Sequence, residues 1–156
     1  MPVERSAGVV IFKNALDGRK YLILHSRRSP GSKRPDFWDF PKGLLEKGET
    51  GLEAAKREVK EETGLEIKNV LPDFKETASY FTKWSGKTIP KFAAMFLAEM
   101  EAPVTLSIEH DRYEWLSYED ARKRLTNSAM KKLLQKADEF LSRRKKLLLR
   151  REGVES

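Results

Sequence analysis

Thr50 and Glu53 stand three residues apart at the head of an apolar-periodic stretch, and Gly64 closes that stretch. A Thr-x-x-Glu pair satisfies two of the backbone N–H groups that a helix leaves open at its start, and glycine readily takes the left-handed conformation that ends one. The spacing therefore predicts a helix from about Gly51 to the glycine stop, with Leu52, Ala55 and Val59 on one side. Around it the apolar pattern has the period of strands. Residues 6–12 and 21–24 read as a buried strand and its partner, with 14–20 turning between them, and 88–100 and 113–116 read as strands further on. Ser117 then caps a helix to about Leu125, and a last helix runs from about Ala129 toward Leu149 on a stripe of Leu133, Leu134, Ala137, Phe140 and Leu141. Strands, helix, strands, helices, with no internal repeat, is the order of a mixed α/β domain.

Composition narrows the class further. The chain has 156 residues, 39% of them hydrophobic, which is enough for one packed core and excludes wholesale disorder. Its longest apolar run, 92–98, is too short to cross a bilayer, and Glu4, Arg5 and Ser6 interrupt the N-terminus before a secretory signal could form. Without a single cysteine, disulfide scaffolds, thiolate zinc sites and cysteine nucleophiles are ruled out. The expectation is a soluble, cytoplasmic protein with no membrane partner.

The net charge of +7 is unevenly spread. Residues 1–42 carry nine Lys/Arg against four Asp/Glu, residues 129–156 again nine against four, but residues 43–76 carry six against nine. A basic surface favours polyanionic partners such as nucleotides or nucleic acid. The acidic island in its middle falls on the capped helix. Glu58, Glu61 and Glu62 share one arc of it, and only Glu61 has a basic residue, Arg57, at helical spacing. Two readings stand: a solvated charged face, or a set of oxygen ligands whose mutual repulsion a hard divalent cation would convert to attraction.

The spacing of the surrounding residues bears on that choice. Gly43, then Glu49, then Arg57-Glu58-Val59-Lys60-Glu61-Glu62-Thr63-Gly64-Leu65 resembles the complete Nudix box, a coincidence expected by chance with odds on the order of one in a million. The resemblance implies an α/β/α sandwich with a mixed β-sheet and a hydrolase acting on nucleoside diphosphates linked to another group, with Mg²⁺ or Mn²⁺ as cofactor. It further implies that Glu58, Glu61, Glu62 and the Gly43 carbonyl are metal ligands, and that Arg57 pairs with Glu49 to hold the helix against its loop. On this basis residues 1–142 form the Nudix hydrolase domain and 143–156 a basic C-terminal helix end and tail.

Outside the box, Trp38, Phe40-Pro41-Lys42-Gly43, Phe74-Lys75-Glu76, Tyr80, Ile108-Glu109-His110 and Tyr113-Glu114-Trp115-Leu116 are similar to the asymmetrical diadenosine tetraphosphate hydrolases of that superfamily. The similarity implies that Tyr80 stacks on a purine and that Glu109 serves as catalytic base or extra metal ligand. It also implies that Lys42, Lys83 and His25 contact phosphate oxygens. The expected reaction is water attack on phosphorus, giving ATP and AMP from diadenosine tetraphosphate. Removal of pyrophosphate from triphosphorylated RNA, hydrolysis of nucleoside triphosphates, and a non-catalytic nucleotide- or RNA-binding module are the alternatives.

Several readings stay open at this level. Trp38 is divided between packing and base stacking, and the base between Glu58 and Glu109. His110 receives no role. The basic loop 25–36 and the run Arg143-Arg144-Lys145-Lys146 with Arg150-Arg151 are either solvated or a patch for RNA.

Overall fold

The computed structural model describes residues 3–27, 30–32 and 36–153, with the side chain of Trp84 left aside. Strands β1 (Glu4–Ala15), β2 (Gly18–Ser26), β3 (Trp38–Asp39) and β4 (Lys42–Leu44) lead to helix α1 (Gly51–Thr63). Strands β5 (Glu76–Trp84), β6 (Lys87–Glu99) and β7 (His110–Leu116) follow, then helices α2 (Tyr118–Arg124) and α3 (Ser128–Arg151).

The seven strands form one mixed sheet. Its main path runs β3-β2-β1-β6-β5, with β4 on β1 and β7 on β2. β1 is the axis: it lies parallel to β6 from Glu4 to Phe12, antiparallel to β4 over its first half and antiparallel to β2 over its second. Alternation along β1 feeds two separate cores. Ala7, Val9 and Ile11 face α1 and pack with Ala54, Ala55 and Val59. Val10 and Phe12 face the opposite way and pack with Leu133, Leu134, Ala137 and Leu141 of α3. A helix on one face and two on the other make the expected α/β/α sandwich. Full burial of a side chain such as Val59 stabilises by roughly 1.5–3 kcal/mol, so α1 is fixed by its apolar face while its acidic face stays free for chemistry.

The ends of α1 follow their local chemistry. Thr50 Oγ1 accepts from the Glu53 N–H at 3.1 Å, Glu53 Oε1 accepts from the Thr50 N–H at 2.9 Å, and Gly64 ends the helix at φ 73°. Elsewhere the structure extends the sequence reading. The β1–β2 turn shrinks to Leu16–Asp17, because Asn14 and Ala15 remain paired with Arg19 and Gly18. β5 is missed by periodicity altogether: it is an edge strand with a polar outer face, and the run Glu76-Thr77-Ala78-Ser79 gives no apolar signal. α3 continues unbroken to Arg151, although its buried stripe stops at Leu141. Of the basic loop, Arg28, Lys33 and Arg34 lie outside the described residues. No helix among the described residues is long and apolar enough to cross a membrane.

Candidate active site

α1 is bolted to the loop before it by one guanidinium. Arg57 Nε and Nη2 donate to the two Glu49 carboxylate oxygens at 2.7 and 2.9 Å, and Nη2 also donates to the Leu44 carbonyl at 2.9 Å. Its Nη1 reaches Glu58 at 2.9 Å and Glu61 at 3.1 Å. The fork geometry of arginine permits this spread; lysine could not reproduce it. Glu58 is thereby turned inward against Gly43, where a Cβ would collide with its carboxyl group. Glu61 stays more than half exposed on the outer side of Arg57.

Glu62, four residues from Glu58, is only 6% exposed, and its Oε2 has no hydrogen-bond partner among the described residues. Burial, with Glu58, Asp39 and Glu109 adding like charge, pushes its carboxyl up to about 9 against the pull of the Lys42 backbone N–H. Burial likewise raises Glu58, with Arg57 opposing. Glu109 and His110, at the start of β7, come to the same place: one potential ligand atom from each of Glu62, Glu109 and His110 lies within 4.8 Å of the others. His110 Nε2 stands 3.7 Å from Glu62 Oε1. That is not an ion pair, since burial drives the imidazole toward its neutral form just as it does the carboxyl.

Beyond Glu62 the sheet supplies cations and a ring. The Lys42 side chain is largely covered, its Nζ 2.8 Å from Asp39 Oδ2 and 5.7 Å from the centre of the Tyr80 ring. Burial pulls its ammonium down, but Asp39 and Tyr80 together hold it above its ordinary value. Lys91, directly across the β5–β6 ladder from Tyr80, brings a second ammonium to 5.9 Å from the same ring. Burial and Lys42 lower Lys91, against the pull of Glu4 and Asp39. Tyr80 itself edges a cleft of about 300 Å³ between β5 and α3, with Ser128, Ala129 and Leu133 opposite.

The structure thus gathers Glu58, Glu62, Gly43, Glu109 and Arg57 at one end of the sheet, with Lys42 and Tyr80 adjoining, and it disperses three other expected residues. Lys83 is exposed beside the Ser85–Gly86 turn, and strand alternation turns it to the face opposite Tyr80. His25 is buried, with Nδ1 2.5 Å from Asp111 and Nε2 3.1 Å from Asp36, which leaves neither ring nitrogen for a phosphate. Trp38 is 6% exposed, packed on the His25 ring at 4.8 Å and flanked by the guanidiniums of Arg124 and Arg112, at the floor of a cleft lined by Asp111, Tyr113 and Glu114 and apart from Lys42 and Tyr80. Three residues join the site that sequence reasoning passed over: Asp39, Lys91 and His110. Lys91 was within reach, because a two-residue Ser-Gly turn after Trp84 places it opposite Tyr80 by counting.

The donor set fits a divalent cation. A buried carboxyl oxygen without a partner among the described residues, two further carboxylates and an imidazole converge, and the cationic groups Arg57 and Lys42 sit to the sides.

A carboxylate helix clamped to a glycine loop on one face of a mixed α/β/α sandwich is the frame of one hydrolase class. A family profile for the NUDIX domain matches residues 2–137, and the chain belongs to that family. It is 35% identical over 144 residues to a bis(5'-nucleosyl)-tetraphosphatase [asymmetrical] of Caenorhabditis elegans, covering 90% of this chain and 98% of that protein. It is 32% identical over 143 residues to the protein of the same description from Mus musculus, covering 88% and 95% respectively. Among solved structures, a C. elegans Ap4A hydrolase binary complex superposes with a TM-score of 0.74 at 30% identity, covering 89% of this chain and 98% of that one.

Proposed function

We propose that this Nudix hydrolase cleaves dinucleoside polyphosphates in a divalent-cation-dependent reaction, yielding ATP and AMP from diadenosine tetraphosphate. The observation that carries the reading is the junction of two unlike surfaces at Glu62. On one side lie Glu58, Glu62 and Glu109, the first two raised above the ordinary carboxylate range chiefly by burial; on the other, Lys42, Lys91 and the Tyr80 ring line a route for an anionic chain ending in a base. The relatives described above support the substrate class.

In this reading Glu58, Glu61 and Glu62 hold Mg²⁺ or Mn²⁺, with the Gly43 carbonyl beside them. Bound there, such ions neutralise phosphate charge and acidify a coordinated water. The chain's own groups do the rest. Arg57 fixes the angle at which Glu58 faces the loop. Lys42 and Lys91 draw in the polyphosphate, and Tyr80 stacks on one purine, holding the scissile phosphorus over α1. Glu109, exposed but adjoining Glu58 and Glu62, accepts the proton of the attacking water.

Product analysis tests this directly. Diadenosine tetraphosphate, triphosphorylated RNA and an oxidised nucleoside triphosphate are offered at equal concentration with Mg²⁺. The expected result is the highest kcat/KM on the dinucleotide, with ATP and AMP as products. Faster pyrophosphate release from RNA would overturn the reading and shift attention to the basic end of α3.

A further inference from the structure

His110 opens β7, opposite Ser26 of β2, and is 8% exposed. Its Nδ1 has no hydrogen-bond partner among the described residues, and its Nε2 is 3.7 Å from Glu62 Oε1. That separation is too long for a hydrogen bond, whose N···O distance centres at about 2.9–3.0 Å. It is close to that of two atoms bound to one ion: with bonds of about 2.0–2.2 Å, neighbouring ligand atoms on a divalent cation stand roughly 2.8–3.6 Å apart, so a slight side-chain shift brings both onto one ion. Glu109 completes a set of three ligand atoms within 4.8 Å of one another. A second observation is independent of that clustering. Glu62 Oε2 is buried and without a partner among the described residues, a state that costs free energy unless a bound group satisfies it.

We propose that His110 supplies an imidazole nitrogen to a divalent cation shared with Glu62 and with one oxygen of Glu109, whose other oxygen stays free to take the proton of water, making this a mixed nitrogen–oxygen site that prefers Mn²⁺ to Mg²⁺. The proposal rests on the reading that the α1 carboxylates bind a cation, and adds to it the identity of a ligand. The selectivity follows from donor chemistry. Mg²⁺ is small, hard and keeps oxygen around it, whereas imidazole suits transition ions. Of the metals that accept carboxylate and water readily, Mn²⁺ tolerates a nitrogen donor best. In the rival arrangement His110 merely packs behind Glu62, and no nitrogen touches the ion.

The chain contains two histidines, and both ring nitrogens of His25 already face carboxylates. Pulsed electron paramagnetic resonance on the full chain with Mn²⁺ added below stoichiometry therefore reads the assignment. Protein prepared with histidine isotope-labelled in its ring nitrogens is compared with unlabelled protein. The expected result is a nitrogen coupling that changes with the label and vanishes in His110→Asn. In the same variant Mn²⁺ affinity should fall by about tenfold or more, and Mg²⁺ affinity by less. Bound Mn²⁺ that shows water but no histidine nitrogen overturns the His110 assignment and leaves the proposed function standing. Mn²⁺ that remains entirely free in solution overturns both. The wild-type spectrum decides the matter even if His110→Asn fails to fold.

Discussion

The Glu58 carboxyl fills the space that Gly43 leaves by having no side chain. The glycine is required here for room, since its φ is not among the positive ones. Gly43→Ala should push Glu58 or β4 aside, destabilise the fold by about 1–3 kcal/mol and cut kcat by two orders of magnitude or more. Thermal melting and turnover, measured together, separate the two effects. An alanine variant with wild-type turnover would show that Glu58 does not need this position.

Arg57 ties Glu49, the Leu44 carbonyl, Glu58 and Glu61 into one unit. Arg57→Lys keeps the charge and loses the fork. The expected loss is about 10–100-fold in kcat or in metal affinity, as for other groups that orient ligands. Steady-state kinetics across a range of Mg²⁺ concentration would check it. A variant fully restored by excess Mg²⁺ has lost affinity alone; one that stays slow has lost alignment.

In the proposed reading Tyr80 stacks on a purine, and the Lys42 ammonium stands 5.7 Å from the centre of its ring. Stacking one base on an aromatic ring is worth about 1–3 kcal/mol. Tyr80→Ala should therefore raise KM for diadenosine tetraphosphate by about 5–150-fold, while Tyr80→Phe keeps most of the affinity. Equal KM values for the two variants would place the base elsewhere.

The Glu62 carboxyl, raised from 4.5 to about 9, links stability to pH. Below its unfolded value the group is protonated in both states and costs nothing. As pH rises toward 9 the unfolded chain releases the proton and the folded chain does not, so the metal-free protein loses stability throughout that interval. In a chelator, Tm should fall from pH 6 to pH 8, and Glu62→Gln should flatten the slope. Divalent cation should raise Tm more at pH 8 than at pH 6. A wild-type Tm that is level between these values would contradict the burial argument.

Local chemistry made part of this molecule readable before any coordinates. The capping box and Gly64 bracket α1 within a residue, because those signals act on the nearest backbone groups. The Arg57–Glu49 pair was expected from the Nudix resemblance, whereas the close approach of the Glu58 carboxyl to Gly43 was not read from the sequence. What the sequence concealed depends on pairing between distant segments. His25 reads as a basic loop residue until β7 brings Asp111 against it, and Trp38 looks available until Arg112 and Arg124 close around it. Lys83 sits three residues from Tyr80, close in number, yet strand alternation puts it on the wrong face. His110 is set beside Glu62 by the β2–β7 ladder and by the loop before it, where the Ser107 N–H donates to the Glu62 carbonyl and the His110 N–H to that of Ser107.

The parallel ladder between β1 and β6 has a consequence for how the chain is made. Glu4 is partnered by Lys91, and Phe12 by Glu99. As the polypeptide leaves the ribosome, β1 and α1 emerge long before β6, the strand that lies along β1 and carries β5 on its other edge. Loop closure over that distance is entropically costly and makes such topologies slow to fold. The nascent N-terminal part must therefore wait with Val10 and Phe12, whose partners lie on α3, uncovered, and this interval is where a chaperone would find its binding site and where aggregation would begin.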